Sequence, residues 1–211
     1  GVYYVAVAVV AAAAGGFAWW VTLATGLVAL GYFGIGPGVY RKENGALPLA
    51  ARLILGPVLA GQWLSLRYYR RQCRAWDEIV PGVFLGRVLS DAEAATLPAR
   101  AVLDLTAEFS ESPALRTRVY RNIPILDLTA PTVAQLREAV DFVAAHVGKG
   151  GVYVHCKIGY SRSATVVGAY LMRAGQAGTV QEAVAKIRAA RPALVVRSEA
   201  MAALRSFAEK L

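Results

Sequence analysis

A cysteine and an arginine six positions apart have the types and spacing to do chemistry together. They lie in the run His155-Cys156-Lys157-Ile158-Gly159-Tyr160-Ser161-Arg162-Ser163. A cysteine thiolate is a nucleophile, and the planar guanidinium of an arginine binds two oxygens of one phosphate group. The spacing therefore predicts that the sulfur of Cys156 attacks the phosphorus of a phosphate held by Arg162.

This run is expected to be a loop between a strand, Val152–His155, and a helix over 163–173. Loop amides at a helix N-terminus favour an anion, and Gly159 allows the sharp turn that points them inward. The same field should lower the pKa of the Cys156 thiol below about 8.5. Because the loop supplies its own positive charge, no metal or cofactor is expected. The predicted phosphate-binding residues are Lys157, Ile158, Gly159, Tyr160, Ser161 and Arg162.

The pattern His-Cys-x5-Arg-Ser resembles the signature of the protein tyrosine phosphatase superfamily. His155 before the cysteine, Gly159 within the loop and Ser163 after the arginine make the match specific. The resemblance implies a phosphomonoesterase that forms a phosphocysteine intermediate. It also implies that Ser163 helps the thiolate leave in the second step and that His155 supports the loop structurally.

The chemistry also needs an acid that protonates the leaving oxygen, and the family supplies an aspartate from a loop upstream of the cysteine. Asp127 is the best match, because it follows an extended segment and precedes a helix. Asp104, in an apolar strand, and Asp141, on the polar side of a helix, are the alternatives. The predicted catalytic residues are Cys156, Arg162, Asp127 and Ser163.

The second part of the chain, about 135 residues long, has the size of a dual-specificity phosphatase domain. Within that class, residues 152–164 look most like the lipid-acting mitochondrial phosphatidylglycerophosphate phosphatases. Lys157 after the cysteine and Asp127 in its loop carry this resemblance, and the segment 108–111 matches their acidic–aromatic loop only in part. Tyr160 is bulkier than the resemblance leads us to expect.

The first 36 residues are apolar, with no charged side chain from position 2 to position 36. One helix of that length would be roughly 50 Å long, whereas the hydrocarbon core of a bilayer is about 30 Å thick. We therefore expect a hairpin that turns at Gly15-Gly16, with a short leg, Val2–Ala14, and a full leg over 17–36.

A second apolar segment, residues 47–69, precedes a cluster of arginines. It is long enough to be another span, although Arg52 and Pro57 are also typical of a kinked or surface-lying helix. By the positive-inside rule, the end marked by the cluster faces the cytoplasm. The sequence thus predicts a multi-pass membrane protein with its catalytic part in the cytoplasm. The cluster consists of Arg67, Arg70, Arg71 and Arg74.

The positive charge is distributed unevenly along the chain. The first 76 residues hold seven Lys or Arg and one acid, and the remaining residues hold sixteen and thirteen. A surplus beside apolar segments indicates attraction to a membrane surface, and no nucleic-acid partner is expected. We divide the chain into a membrane-anchoring helical region, residues 1–76, and a phosphatase domain, residues 77–211. With only Cys73 and Cys156, a disulfide framework is not expected, and a free thiol favours a reducing compartment.

Strands alternate with helices after residue 77, which predicts an α/β fold. We expect a mainly parallel central sheet flanked by helices and preceded by the helical transmembrane region. The predicted strands are 83–85, 101–105, Val119–Ile125 and Val152–His155, and the predicted helices are 133–147 with Thr132 as its N-cap, 163–173, 179–190 and 198–210.

Three functions are compatible with these patterns. The first is a phosphomonoesterase that acts on a phospholipid headgroup at the membrane, such as phosphatidylglycerophosphate or a phosphoinositide. The second is a dual-specificity protein phosphatase that acts on phosphorylated Tyr and Ser/Thr. The third is a binding module without turnover, which the combination of Cys156, Arg162 and Asp127 argues against. The expected partners are thus a phosphorylated lipid or protein and the lipid bilayer.

Overall fold

A computed structural model describes residues 1–16 and 18–211. Phe17, the first residue of the predicted second leg, lies outside the described residues. The helices are α1 (Val2–Ala14), α2 (Ala18–Leu30), α3 (Leu49–Ile54), α4 (Gly56–Arg70), α5 (Asp91–Thr96), α6 (Pro113–Arg116), α7 (Val133–His146), α8 (Ser161–Arg173), α9 (Val180–Ala190) and α10 (Ser198–Ala208). The strands are β1 (Trp76–Val80), β2 (Val83–Gly86), β3 (Ala101–Thr106), β4 (Val119–Ile125) and β5 (Val152–His155).

The five strands form one sheet in the order β1-β2-β5-β3-β4. β1 is antiparallel to β2, and the other neighbours are parallel. The predicted α/β class with a mainly parallel sheet is therefore confirmed. β1 was not predicted, because this edge strand buries only Asp77 fully and so lacks an apolar run.

The central strands β3 and β5 are buried along their whole length and are mostly apolar. All six residues of β3 and all four of β5 are buried, as expected for parallel strands covered on both faces. The main core lies between the sheet and the helices α7 to α10.

Thr132 caps α7 as predicted, since its hydroxyl accepts from the Gln135 amide and the Gln135 side chain accepts from the Thr132 amide. α8 begins at Ser161, two residues earlier than predicted.

The N-terminal residues form the expected pair of helices. α1 ends at Ala14, and Gly15 and Gly16 turn the chain with φ angles of 69° and 56°. Helical backbone then runs from Ala18 to Tyr40, 23 residues, and an 18-residue stretch of it has a mean hydropathy of 1.5. Among the described residues, this is the one helix long and apolar enough to cross a membrane. α1 is also apolar, but its 13 residues are too few to cross a bilayer as a helix.

Residues 47–69 form two helices, α3 and α4, that are interrupted at Leu55. This segment does not reach the length and hydropathy that the Ala18–Tyr40 helix has. Its inner side packs with α2 against two loops of the sheet domain. The buried cluster at this contact contains Ala24, Val28, Tyr40, Leu47, Leu55 and Val58 together with Ala107 and Leu126. The N-terminal helices therefore lie over the carboxyl ends of β3 and β4, the edge at which open α/β sheets bind ligands.

Candidate active site

The loop between β5 and α8 is shaped by a glycine and by a buried arginine. Gly159 has a φ of 75°, and a Cβ atom at this position would lie 2.5 Å from the backbone of Gly86. Arg191, almost fully buried, donates to the carbonyls of Ile158 at 3.0 Å and of Gly159 at 2.9 Å. It is held in turn by Asp77 at 2.6 Å. Because these carbonyls point away from the loop centre, the loop amides are free to face an anion.

Cys156 begins this loop, and its side chain is buried. Its sulfur lies 3.4 Å from the hydroxyl oxygen of Ser163. Burial raises the pKa of the Cys156 thiol, but the Arg162 guanidinium and hydrogen bonds from Ser163 and Tyr160 outweigh it. The net pKa is therefore lower than that of an ordinary cysteine, which favours the nucleophilic thiolate.

Arg162, on the first turn of α8, is fixed by a carboxylate that the sequence did not single out as its partner. Glu108 binds both terminal nitrogens of the guanidinium, at 2.7 and 3.2 Å, and is itself buried. The carbonyl of Ile125 accepts a further hydrogen bond at 2.8 Å. A forked arginine held in this way is preorganised to bind two oxygens of a phosphate group. Glu108 belongs to the segment 108–111, whose resemblance to the acidic–aromatic loop of the lipid-acting phosphatases is only partial. That Glu108 lies beside Arg162 is visible only in the fold.

Asp127 follows β4 and faces the loop from the other side. Its carboxylate lies 3.0 Å from Arg162 and 3.3 Å from Lys157. Burial raises the pKa of this carboxyl, but the two cations and the Leu128 amide outweigh it, so the pKa is lowered. The hydroxyl of Tyr32, from the N-terminal helices, donates to the backbone carbonyl of Asp127 at 2.8 Å.

Lys157 connects the loop to the N-terminal helices. Its ammonium donates to Oε1 of Gln62 at 2.6 Å, and Nε2 of Gln62 donates to the Tyr4 hydroxyl at 2.9 Å. Gln62 and Tyr4 were not among the predicted site residues. The one available signal was that Gln62 is a rare polar residue in an apolar segment.

His155 lies behind the loop in a buried charged cluster. Its Nε2 is 2.7 Å from Glu111 and 3.7 Å from Asp104. Burial lowers the pKa of the imidazole, but the two carboxylates outweigh it and raise the pKa. These three side chains place ligand atoms within 4.8 Å of one another, a spacing compatible with a metal. However, the ammonium of Lys42 already neutralises Asp104, which disfavours a further cation there.

The fold brings the side chains of Cys156, Arg162, Ser163 and Asp127 together at the loop between β5 and α8. The alternative acids lie elsewhere: Asp104 is behind the loop, and Asp141 is on α7, paired with Arg173. The remaining loop residues have different surroundings. Ile158 packs beside Leu66 and Val88, Tyr160 borders the cavity over the thiol, and the Ser161 hydroxyl accepts from the Arg197 amide at 3.4 Å.

A cavity of about 960 Å³ opens above the loop. Its floor contains Cys156, Lys157 and Arg162, with Asp127 at the side. Its opposite wall consists of residues from α1, α2 and α4. Chemically, the floor offers a nucleophile, a positive field for phosphate oxygens and a carboxyl group.

Known proteins share both sequence and fold with this chain. Residues 85–210 match the family described as the dual specificity phosphatase catalytic domain. Human dual specificity protein phosphatase 5 is 38% identical over 104 residues, which are 47% of this chain and 27% of that protein. Mouse phosphatidylglycerophosphatase and protein-tyrosine phosphatase 1 is 46% identical over 67 residues, 30% of this chain and 35% of that protein. The chain thus spans about a third or less of the length of these relatives.

Two solved structures are similar to this chain in fold. The active form of Tk-PTP has 30% identity and a TM-score of 0.58, covering 65% of this chain and 98% of that chain. PTPMT1 has 27% identity and a TM-score of 0.56, covering 64% of this chain and 94% of that chain. Each covers about two thirds of this chain.

Proposed function

The chain belongs to the dual specificity phosphatase family and is a cysteine-based phosphatase, and from this premise we propose that it hydrolyses the phosphomonoester of a phospholipid headgroup at a membrane. Phosphatidylglycerophosphate and phosphoinositides are the candidate substrates. The observation that carries the proposal is the position of the N-terminal helices. They form one wall of the cavity over Cys156, and their outward sides are apolar.

In the proposed reaction, the Cys156 thiolate attacks phosphorus while the loop amides and Arg162 bind the phosphate oxygens. The sulfur–phosphorus bond forms as the bond to the leaving oxygen breaks, and Asp127 gives that oxygen a proton. Water then attacks the phosphocysteine, the Asp127 carboxylate takes a proton from it, and inorganic phosphate leaves. Ser163, 3.4 Å from the sulfur, stabilises the thiolate that departs in this second step.

Substrate binding itself would prepare the acid. Without ligand, Asp127 is paired with Arg162 and Lys157, which keep its pKa low. A phosphate dianion that takes the Arg162 guanidinium removes one cation from Asp127 and adds negative charge beside it. Both changes raise the pKa of a carboxyl, so that it carries a proton when the leaving oxygen needs one.

The exposed apolar side chains support a site next to a bilayer. Most large exposed hydrophobic residues of the described chain lie in the first 76 residues, among them Trp19, Leu23 and Phe33. After Trp76 they are scattered singly, as in water-soluble proteins. Apolar surface of this extent is typical of membrane contact.

We assign residues 1–76 to the anchor and residues 77–211 to the phosphatase domain, with more than one helix entering the bilayer and the phosphatase domain in the cytoplasm. The arginine cluster at the end of α4 supports this orientation. A reporter enzyme fused after Lys210 tests it: activity specific to the cytoplasm is expected, and activity specific to the opposite side contradicts it.

The second candidate is a protein phosphatase, supported by the similarity to human dual specificity protein phosphatase 5. One experiment separates the two candidates. Phosphate release by the purified full chain is measured in parallel on phosphatidylglycerophosphate, phosphoinositides, phosphotyrosine peptides and phosphoserine peptides. We expect the highest kcat/KM on a lipid, and a preference for the peptides would contradict the lipid assignment.

A further inference from the structure

The cavity above Cys156 has two walls of different chemistry. The catalytic loop and the Asp127 loop form the charged floor. The opposite wall is mixed, and its apolar part consists of Val7 of α1, Val21 of α2 and Val58 of α4, with Gly61 one turn further along α4. Its polar part consists of Tyr3, Tyr4, Thr25, Gln62, Ser65 and Tyr69. This wall lies outside residues 85–210, the part of the chain that matches the phosphatase family.

We propose that the apolar part of this wall is the subsite for the acylglycerol part of the substrate, so that the N-terminal helices select the lipid as well as holding the enzyme at the membrane. The inference rests on the proposed lipid phosphatase activity. It assigns to α1, α2 and α4 a role in substrate binding.

Geometry directs the substrate towards this wall. For attack, the phosphorus must lie at the sulfur of Cys156, with its oxygens at Arg162. The leaving oxygen must then face Asp127, which borders the same cavity. Whatever is attached to that oxygen therefore extends into the remaining space, between the loop and the helices.

The size of the cavity agrees with a large substituent. Its volume of about 960 Å³ lies near the upper end of the range for pockets that enclose drug-sized ligands, about 300–1,000 Å³. A phosphate group and a small alcohol would fill a minor part of it. Glycerol ester groups and the first methylenes of two acyl chains would cover the valines of the wall.

Lys157 marks the border between the two walls. Its ammonium contacts Asp127 on one side and Gln62 of α4 on the other. Gln62 is buried and continues the hydrogen bonds to Tyr4 of α1. A cation at this border is suited to a second negative group of the substrate, such as the phosphodiester between a headgroup and diacylglycerol.

Gly61 is a position at which a substitution changes the wall of the cavity. It lines the cavity, and a Cβ atom added there meets no atom within 4 Å. A larger side chain at position 61 would therefore enter open space instead of the protein interior. Gly26 of α2 offers a matched control, because a Cβ atom there also meets nothing within 4 Å and the residue is not part of the cavity lining.

The test compares three forms of phosphatidylglycerophosphate: deacylated, dibutanoyl and dihexanoyl, each below its micelle concentration. The full chain, Gly61→Leu and Gly26→Leu are assayed in identical lipid nanodiscs. Partitioning of the longer substrates into the bilayer is the same for all three proteins. A difference between the proteins thus reports on the cavity.

We expect kcat/KM of the unmodified chain to rise about tenfold for every two methylenes buried. Gly61→Leu should reduce the dihexanoyl-to-deacylated ratio at least tenfold, and Gly26→Leu should keep it. An unchanged ratio in Gly61→Leu, with lipid turnover intact, overturns the subsite and leaves the lipid phosphatase standing. Absence of lipid turnover by the unmodified chain, with peptide turnover present, overturns both.

Discussion

Lys42 forms a buried ion pair with Asp104, 62 positions further along the chain. The Lys42 side chain is 1% exposed and that of Asp104 is fully buried. The ammonium also donates to the backbone carbonyl and the hydroxyl of Thr106, each at 3.0 Å. The carboxylate of Asp104 lies 3.7 Å from His155, the residue before the cysteine. A lysine from the N-terminal region therefore balances charge directly behind the loop that carries Cys156.

Replacement of Lys42 by methionine should cost about 3–5 kcal/mol of unfolding free energy, because it leaves the buried Asp104 carboxylate unpaired. Denaturant titration in detergent measures this loss. Arg41→Met is the control, because Arg41 precedes Lys42 in the chain and its own side chain is exposed. Adding Asp104→Asn to Lys42→Met should restore part of the stability. If Lys42→Met and Arg41→Met both lose a similar, small amount of unfolding free energy, the ion pair between Lys42 and Asp104 does not contribute the expected stability.

Cys156→Ser should abolish turnover and leave the fold and vanadate binding in place, because only the nucleophile is removed. In the unmodified chain, iodoacetamide at neutral pH should modify Cys156 before Cys73. The pKa of Cys156 is lowered, whereas burial raises that of Cys73 and nearby arginines offset this only in part. Mass spectrometry of partly alkylated protein measures the order, and the Cys73→Ser variant should be inactivated at an unchanged rate. Turnover by Cys156→Ser would eliminate the proposed mechanism.

Asp127→Asn should depress hydrolysis of a lipid or serine phosphate by about 10²–10⁴-fold. An activated aryl phosphate should be affected much less, because its leaving group departs without a proton. Steady-state kinetics on both substrate types measure the difference. Equal losses would indicate that Asp127 only shapes its loop, and Asp104→Asn would then be compared in the same assay.

The pH profile should respond to Lys157. This cation lies 3.3 Å from Asp127 and, after burial and Arg162, is a main influence on the pKa of the carboxyl. Its removal in Lys157→Met destabilises the carboxylate, so the pKa of Asp127 rises and the protonated acid persists to higher pH. The basic limb of kcat/KM should therefore move upward, and Lys157→Arg, which keeps the charge, should leave it in place. A downward or absent shift in Lys157→Met would contradict the assignment of Asp127 as the acid.

Glu108→Gln should weaken phosphate binding, because Glu108 holds both terminal nitrogens of Arg162. A misplaced guanidinium is expected to lower kcat/KM by about 10²-fold. Inhibition constants for vanadate and inorganic phosphate should rise in parallel. Glu111→Gln, which removes a buried acid that contacts His155 instead, is the control and should change these constants much less. Equal effects of the two variants would point to a general loss of structure.

The residues that define the family could be identified from the sequence because they are neighbours along the chain. Cys156, Arg162 and Ser163 lie on one loop, and the strand before it and the helix after it have clear apolar patterns. The parallel sheet was also predictable, because β3 and β5 are short, mostly apolar runs and the predicted strands alternate with helices. β1 was not predicted, because it lies at the edge of the sheet and an edge strand does not require a continuous apolar run.

The tertiary structure alone decided which distant residues complete the site. Glu108, Lys42 and Gln62 lie 54, 62 and 95 positions from the residues they bind, and no local period connects such pairs. Whether a lone charge in an apolar segment faces water, lipid or a buried partner depends on packing between elements. The division at Trp76 stays a prediction, and the contacts of Lys42 and Gln62 cross it. The loop that carries Cys156 and Arg162 is thus a local property of the chain, whereas the cavity wall over it exists only because the N-terminal helices fold back onto the sheet.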